Sequence, residues 1–349
     1  MPSRFATWAN PRRRDYSVGI RRYFLRRMLS TNGTANVKQQ PRPVLCIVGP
    51  TGSGKSHLAL QLAQRLQGEI INCDSLQIYR GFDIGTAKPS ALERTAVPHH
   101  LIDVVNSNEV YTAGDFARQA RETLLTISDR RKLPIVAGGT GFYLKALVDG
   151  LVDAPKRDDE LRQRLEQMET RRPGILYRLL LRWDPASAKR ISALDRQKLV
   201  RAVELMLLEK RPLSEIYQDP RRANLDFSFF QIGVDPPRSH LYQRLNDRCD
   251  RMLEAGLLDE VQALLASGVS PDDKAFGSIG YKQALDVLRG TMDVPAAMEE
   301  MKRDTRRYAK RQWTWFRRDS RVFWIRGFGD SPQSCAQALR AIHNRFFWY

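Results

Sequence analysis

Cysteine is scarce and poorly spaced for cross-linking or metal binding. Cys46, Cys73, Cys249 and Cys335 are scattered over 349 positions, with no CxxC pair and no Cys/His ligand spacing. That excludes a disulfide framework and a zinc site, and it fits reduced thiols in a cytosol-like compartment. Long hydrophobic runs are also missing. No stretch approaches the ~20 apolar residues that a membrane-spanning helix needs, so no membrane association is expected. Acidic residues are in deficit, with 39 Asp and Glu against 57 Lys and Arg, a formal net charge of +18. Such an excess is the electrostatic footprint of a polyanionic partner and points to nucleic acid. No internal repeat is evident. What remains is an ordinary globular composition, 42% hydrophobic and 28% charged, on a chain long enough for a large domain with an insertion.

The positive charge is uneven. Residues 1–40 hold eight Arg and one Lys against a single Asp. An Arg-rich, acid-poor start resembles a mitochondrial presequence; it also fits a disordered basic arm, or an upstream start codon with Met28 as the true beginning. Residues 1–40 are therefore expected to be a basic, disordered extension outside the fold. The location is cytoplasmic, or mitochondrial if that extension serves as a presequence.

From residue 41 strands and helices alternate. "PVLCIVGP" is a continuous apolar run of strand length, suited to a strand buried on both faces of a parallel sheet. "SHLALQLAQRL" places Leu58, Leu62 and Leu66 at helical spacing. "EIINCDS" reads as a second strand ending at Asp74, "AGDFARQARETLLTISDRR" as a helix, and "KLPIVAGGTGFY" as a third strand running into a glycine turn. Residues 151–225 change character and hold only charge-rich helical patterns. "FSFFQIGVD" is a strand again, followed by a long amphipathic helix pair, a basic Trp-rich helix near 295–318, the strand-like "RVFWI" and a closing helix. The fold class is α/β: a P-loop NTPase-like parallel sheet core, residues 41–150 and 226–349, with a helical insertion domain at 151–225.

One loop carries an explicit chemical signature. "GPTGSGKS" runs Gly49, Pro50, Thr51, Gly52, Ser53, Gly54, Lys55, Ser56, after an apolar strand and at the start of a helix. In that context backbone N–H groups and a helix N-terminus cradle phosphate oxygens, Lys55 adds a point charge, and Ser56 is placed to ligate Mg²⁺. The loop does not identify the molecule that bears the phosphates. Ligands of an open parallel sheet bind beyond the carboxyl ends of its strands. The second strand delivers Asp74 and Ser75 to that edge, and the third delivers the turn Gly138–Gly141. Asp74 reads as a general base, a Mg²⁺ ligand or a cap. Thr140 reads as a substrate contact or a helix cap.

"CDSLQIYRGFDIGTAKPS", "VPHHLIDV", "YTAGDFARQA", "VAGGTGFYLKALVDGL", "IGYKQAL" and "AKRQWTWFRR" occur in order from about residue 43 to 325. Together they resemble the tRNA dimethylallyltransferase (tRNA isopentenyltransferase, or IPP transferase) family. The resemblance implies that the P-loop holds the diphosphate of dimethylallyl diphosphate, with Mg²⁺. It implies a transferase that moves the dimethylallyl group to N6 of the adenosine at position 37, beside the anticodon of tRNAs reading codons that begin with U. Asp74 matches the family's base and Thr140 its partner at the amine. The partners are the tRNA anticodon stem-loop and the prenyl donor, with the protein a monomer.

The family's RNA-contacting segments map onto Asp74, Ser75, Leu76, Gln77, Thr140 and Arg162. They continue through Gln197, Lys198, Leu199, Val200 and Arg201, then Gly280, Tyr281 and Lys282. The last are Lys310, Arg311, Gln312, Trp313, Thr314, Trp315, Phe316 and Arg317. From Lys302 to Arg321 nine Lys and Arg stand against two Asp, with Tyr308 and the Trp and Phe residues interleaved. Basic residues suit phosphates and aromatics stack on splayed bases, although Trp313 and Phe316, three apart, equally suit a core. Two positions depart from the family. Gly277 stands where many relatives carry an Arg that reaches the diphosphate, so either Lys282 or another basic residue substitutes, or the donor is held less tightly. Gly52 stands where Ala is common, a change expected to be neutral for phosphate binding. Competing readings are a P-loop small-molecule or nucleotide kinase, an adenylate isopentenyltransferase and a non-catalytic RNA-binding protein.

Overall fold

The computed structural model describes residues 16–29, 41–152, 154–219 and 226–347. Its centre is a six-stranded, all-parallel sheet in the order β3-β2-β4-β1-β5-β6. The strands are β1 (Arg42–Val48), β2 (Gly68–Asn72), β3 (His99–His100), β4 (Leu133–Gly138), β5 (Phe227–Asp235) and β6 (Val322–Arg326). Every residue of β2 and β4 is buried, as are six of the seven in β1. Strands covered on both faces need no polar alternation, which is why β1 and β4 read as nearly continuous apolar runs, while the Glu69 carboxylate in β2 is held by Arg130 and His100. β3 is two residues long and carries no strand pattern of its own; it exists because His99 and His100 lie in register with Ile70 and Ile71.

The helices of this core are α1 (Tyr16–Leu29), α2 (Lys55–Leu66), α3 (Ala91–Ala96), α4 (Ala113–Asp129) and α5 (Gly141–Val148). A second helical group, α6 (Asp159–Arg171), α7 (Ile175–Trp183), α8 (Pro185–Ala188), α9 (Arg196–Glu209) and α10 (Leu213–Ile216), follows. The chain then returns to the sheet with α11 (Arg238–Glu254), α12 (Leu257–Ala266), α13 (Tyr281–Leu288), α14 (Val294–Arg317) and α15 (Pro332–Phe347). Two compact units result, Met1–Leu147 with Leu225–Tyr349, and Val148–Asn224. The smaller unit has its own core, in which Leu165, Leu176, Leu180, Val203 and Ile216 are buried.

Helix starts are written locally. Thr112 and Asp115 form a reciprocal capping box at α4, and Ser90 with Glu93 does the same at α3. Asp195 and Asp293 cap α9 and α14.

The N-terminal region departs from expectation. Residues 16–29 are not a loose arm: they form α1, whose Ile20 and Phe24 are buried in the same cluster as Leu45, Leu62 and Ile342. Phe24 meets Phe346 edge-on at 5.2 Å, and Tyr16 meets His343 at 4.9 Å. The compositional signal was real, but it missed that Tyr16, Ile20, Tyr23 and Phe24, spaced among the arginines, share one helix face. The remainder of that extension, 1–15 and 30–40, lies outside the described residues. Among the described residues no helix is long and apolar enough to cross a membrane.

Candidate active site

Three neighbouring strands, β2, β4 and β1, deliver their carboxyl ends to one edge of the sheet. β1 feeds the phosphate loop. Gly52 and Gly54 take left-handed backbone angles, φ +75° and +85°. A Cβ on Gly52 would also lie 2.6 Å from Leu245 Cδ2 of α11. In this chain Gly52 is thus required by both backbone and packing, a stronger role than its sequence position suggests.

Lys55 opens α2 and is half-buried, its ammonium 3.4 Å from the Pro50 carbonyl. Burial lowers its pKa to about 8; Asp74 pulls it up and Arg248 pushes it down. Ser56 is exposed beside it.

Asp74 and Thr140 are tied together through the backbone. The Asp74 Oδ1 accepts the Leu76 N–H at 2.9 Å, which fixes the carboxylate at the head of a tight turn. Thr140 Oγ1 accepts the Ser75 N–H at 3.0 Å, and the Thr140 N–H donates to the Cys73 carbonyl at 3.2 Å. The end of β2 is thereby sewn to the turn after β4. Asp74 makes no ion pair within 4 Å among the described residues, and its second oxygen has no hydrogen-bond partner there.

Helix α14 closes the site from one side. Gln312 is buried at 5% exposure and spends both ends of its amide on the two loops. Its Oε1 accepts the Thr51 N–H at 2.7 Å, and its Nε2 donates to the Gly139 carbonyl at 3.0 Å. The approach is so close that a Cβ on Gly139 would sit 2.1 Å from Nε2, and one on Gly141 2.1 Å from the Trp315 ring. The glycines of "GGTG" are therefore there to admit α14. One turn earlier, Tyr308 has its hydroxyl pKa raised by burial and by the nearby Asp74 carboxylate.

Sequence reasoning missed one cation. Arg248 on α11 feels the Asp74 carboxylate and itself acts on Lys55. Burial lowers its pKa, and it makes no hydrogen bond or ion pair among the described residues. Its uncommitted charge acts on both Lys55 and Asp74, the two charged groups of this edge. Lys282, considered as a substitute at the diphosphate, reaches toward Glu300 instead. Nothing in the pattern "NDRCDRMLE" marked Arg248, because any arginine on an amphipathic helix reads as solvent-facing.

The residues assigned to RNA divide in two. Leu199 and Val200 are core residues of the helical unit, and Phe316 is 2% exposed. Tyr281 is fully buried; it donates to Glu260 and accepts the Gly85 N–H at 3.1 Å. Gln312 is occupied as described. Arg162 and Arg201 both bond the carboxylate of Glu204, whose side chain is 0% exposed, at 2.9 Å and 2.7 Å. Burial pushes the Glu204 carboxyl up, but the two guanidinium partners outweigh it and hold the group below its ordinary value. These side chains hold the scaffold. Gly280 takes φ +94° at the start of α13, a backbone role. Gln77 spends its amide donors on the Thr86 and Ala87 carbonyls, both at 3.1 Å, and Leu76 is half-buried in the Asp74 turn. Trp313 packs partly against Leu241, Leu245 and Ala309. Gln197, Lys198, Lys310, Arg311, Thr314, Trp315 and Arg317 remain open at the surface.

Among the described residues no group of three or more His, Cys, Asp or Glu could hold a metal ion. If a Mg²⁺ accompanied a bound diphosphate, the exposed Ser56 hydroxyl at the start of α2 would be the protein group to hold it.

The sequence model described as IPP transferase matches residues 77–319. A tRNA dimethylallyltransferase of Solibacter usitatus is 51% identical over 300 residues, 86% of this chain and 98% of that protein. The structure of a tRNA isopentenylpyrophosphate transferase from Bacillus halodurans superposes with a TM-score of 0.65 at 35% identity, over 87% of this chain and 96% of that one. A eukaryotic dimethylallyltransferase captured acting on tRNA gives a TM-score of 0.75 at 30% identity, over 87% and 78%.

Proposed function

We propose that this chain, which belongs to the IPP transferase family, transfers a dimethylallyl group from dimethylallyl diphosphate to the N6 amine of adenosine 37 beside a tRNA anticodon. The observation that carries the reading is the sewing of Asp74 and Thr140 to the strand ends next to a phosphate loop. A P-loop kinase would account for the loop and for Asp74, two strands away at the end of β2, but not for the helical unit Val148–Asn224 or the net charge of +18.

The amine lone pair attacks C1 of the prenyl group, the N6–C1 bond forms, and the C1–O bond to diphosphate breaks. The bonding electrons leave with the diphosphate, and the amine proton passes to the Asp74 carboxylate. An aromatic amine is a weak nucleophile and becomes acidic only as the new bond forms, so a positioned base is effective at that moment. Thr140 orients the Asp74 turn and offers its hydroxyl at the amine. Lys55, the loop amides and Arg248 stabilise the charge that develops on the leaving diphosphate. Mg²⁺ supplies further neutralisation of that diphosphate when bound.

The test is diphosphate release from dimethylallyl diphosphate and an anticodon stem-loop RNA in the absence of ATP, with prenylated adenosine identified by mass spectrometry. An absolute ATP requirement overturns the reading.

A further inference from the structure

The phosphate loop has a second neighbour besides α14. Between β6 and α15 the chain turns through Gly327, Phe328, Gly329, Asp330 and Ser331, and this turn lies flush against the loop. The Gly329 N–H donates to the Ser53 carbonyl at 2.8 Å. The fit is close in both directions. A Cβ on Gly54 would lie 2.8 Å from the Asp330 nitrogen, and one on Gly329 would lie 2.5 Å from the Gly54 carbonyl oxygen.

That contact fixes a peptide plane. The carbonyl of Ser53 and the N–H of Gly54 belong to one trans peptide and point in opposite directions. With the carbonyl tied to the turn, the Gly54 N–H faces away from it, and that N–H has no hydrogen-bond partner among the described residues. In a loop of this pattern such N–H groups cradle phosphate oxygens.

A charge pair holds the turn in place. Arg244 on α11 grips the Asp330 carboxylate with both terminal nitrogens, at 3.1 Å and 2.6 Å. Its guanidinium also covers the Phe328 ring at 4.8 Å, and Phe328 packs against Leu241 and Leu245 of the same helix. From the other side the buried Ser334 hydroxyl donates to the Phe328 carbonyl at 2.7 Å. A two-pronged pair of a planar guanidinium and a carboxylate sets orientation as well as distance. Arg244 holds the Asp330 carboxyl below its ordinary value, so the pair is charged at neutral pH.

We propose that Asp330 is a positioning residue for prenyl transfer: clamped by Arg244, it presses the β6–α15 turn against the phosphate loop and so aims the Gly54 N–H at the leaving diphosphate. The inference rests on the prenyl-transfer reading. Neither side chain touches the donor in this role; both act through the backbone of the loop.

The experiment measures binding of inorganic diphosphate with Mg²⁺ by calorimetry, and steady-state kinetics with donor and RNA varied in turn, well below the Tm of each variant. Asp330→Asn and Arg244→Gln are compared with wild type and with Asp129→Asn, which breaks the Arg42–Asp129 pair beside the start of β1, at the opposite edge of the sheet. The Arg244 and Asp330 side chains are 36% and 33% exposed, which puts the effect at the low end for a charged hydrogen bond. Diphosphate is expected to bind ~10-fold more weakly and donor kcat/KM to fall ~10-fold. The KM for RNA and every parameter of Asp129→Asn should stay at wild type. The double variant should lose no more than either single, because both break one clamp. Gly329→Ala keeps the pair but drives a methyl group against the Gly54 carbonyl, and it should weaken diphosphate binding at least as much. A lower Tm with wild-type diphosphate affinity and donor kinetics in both single variants makes the pair structural only and overturns the inference, as does Gly329→Ala protein that binds diphosphate normally. Such a result with wild-type protein that prenylates the RNA leaves the functional reading standing; wild-type protein that binds no diphosphate, or requires ATP, refutes that reading as well.

Discussion

Replacing Gln312 by leucine isolates what α14 does for the donor site. Leucine nearly matches the volume, so packing against Gly139 is retained while both amide bonds vanish. The substitution strands two backbone groups, the Thr51 N–H and the Gly139 carbonyl, which the amide holds at 2.7 Å and 3.0 Å. A buried polar group left without a partner costs ~1–3 kcal/mol, so the pair costs ~2–4 kcal/mol, with the half-exposed Thr51 at the low end. At ~1.4 kcal/mol per tenfold, that is a ~30- to 1000-fold loss in kcat/KM for the prenyl donor if the strain falls on the loops. Steady-state kinetics with varied donor, a melting curve and RNA binding over a salt series separate the possibilities. Donor kcat/KM and Tm are expected to fall, with the RNA salt slope unchanged because the side chain is buried. Gln312→Glu retains an acceptor for Thr51 but sets a carboxylate against the Gly139 carbonyl. Its donor KM should rise and recover partly as pH falls and the carboxyl gains a proton. Wild-type donor kinetics and Tm in Gln312→Leu, or a loss confined to RNA affinity, would refute the reasoning.

Asp74→Asn should lower the single-turnover rate ~10²- to 10⁴-fold at saturating donor and tRNA, with little change in RNA affinity; full rescue by raised Mg²⁺ would show that the carboxylate serves only as a metal ligand. Glu204 has its folded-state pKa held below the ordinary 4.5, so its contribution is fully present above that value and is lost as pH falls through the folded pKa. Protection against hydrogen exchange in residues 158–209, taken relative to the intrinsic rate at each pH, should therefore fall below about pH 4.5, and Glu204→Gln should flatten that dependence. Arg201→Ala should destabilise the same helices by ~1.5–3 kcal/mol, since a bond to a buried charge is lost; an effect on RNA binding without any change in exchange would contradict the structural role. Phe24→Ala should cost ~3–5 kcal/mol through the cavity left beside Phe346 and Ile342, read as a lower Tm with turnover retained at low temperature; an unchanged Tm would return α1 to the status of a dispensable arm.

Local chemistry alone determined a great deal of this protein. The largely apolar runs became β1, β2, β4 and β5 because strands covered on both sides must be mostly apolar, with the few buried polar residues, Glu69 among them, held by specific partners. The phosphate loop and the turn Gly138–Gly141 were legible because positive backbone angles and close approaches leave few residue types possible. Asp74 and Thr140 followed from the rule that parallel strands point their carboxyl ends to one edge. Roles that depend on distant partners were not legible. Arg201 and Arg311 look alike in sequence; only folding sets one on the buried Glu204 and the other at the surface over Tyr308. Gln312 sits within a basic, aromatic stretch that reads as RNA-binding, yet its two partners lie 261 and 173 residues away. Arg248 lies in an ordinary amphipathic helix and gains significance only because α11 packs its face over the phosphate loop. α1 was read by its charge, while its fate was set by two apolar residues and the trough that α2 and α15 leave for them. A side chain's type is local information, but whether it is spent on the scaffold or left for a substrate is a property of the partners that the tertiary fold brings to it.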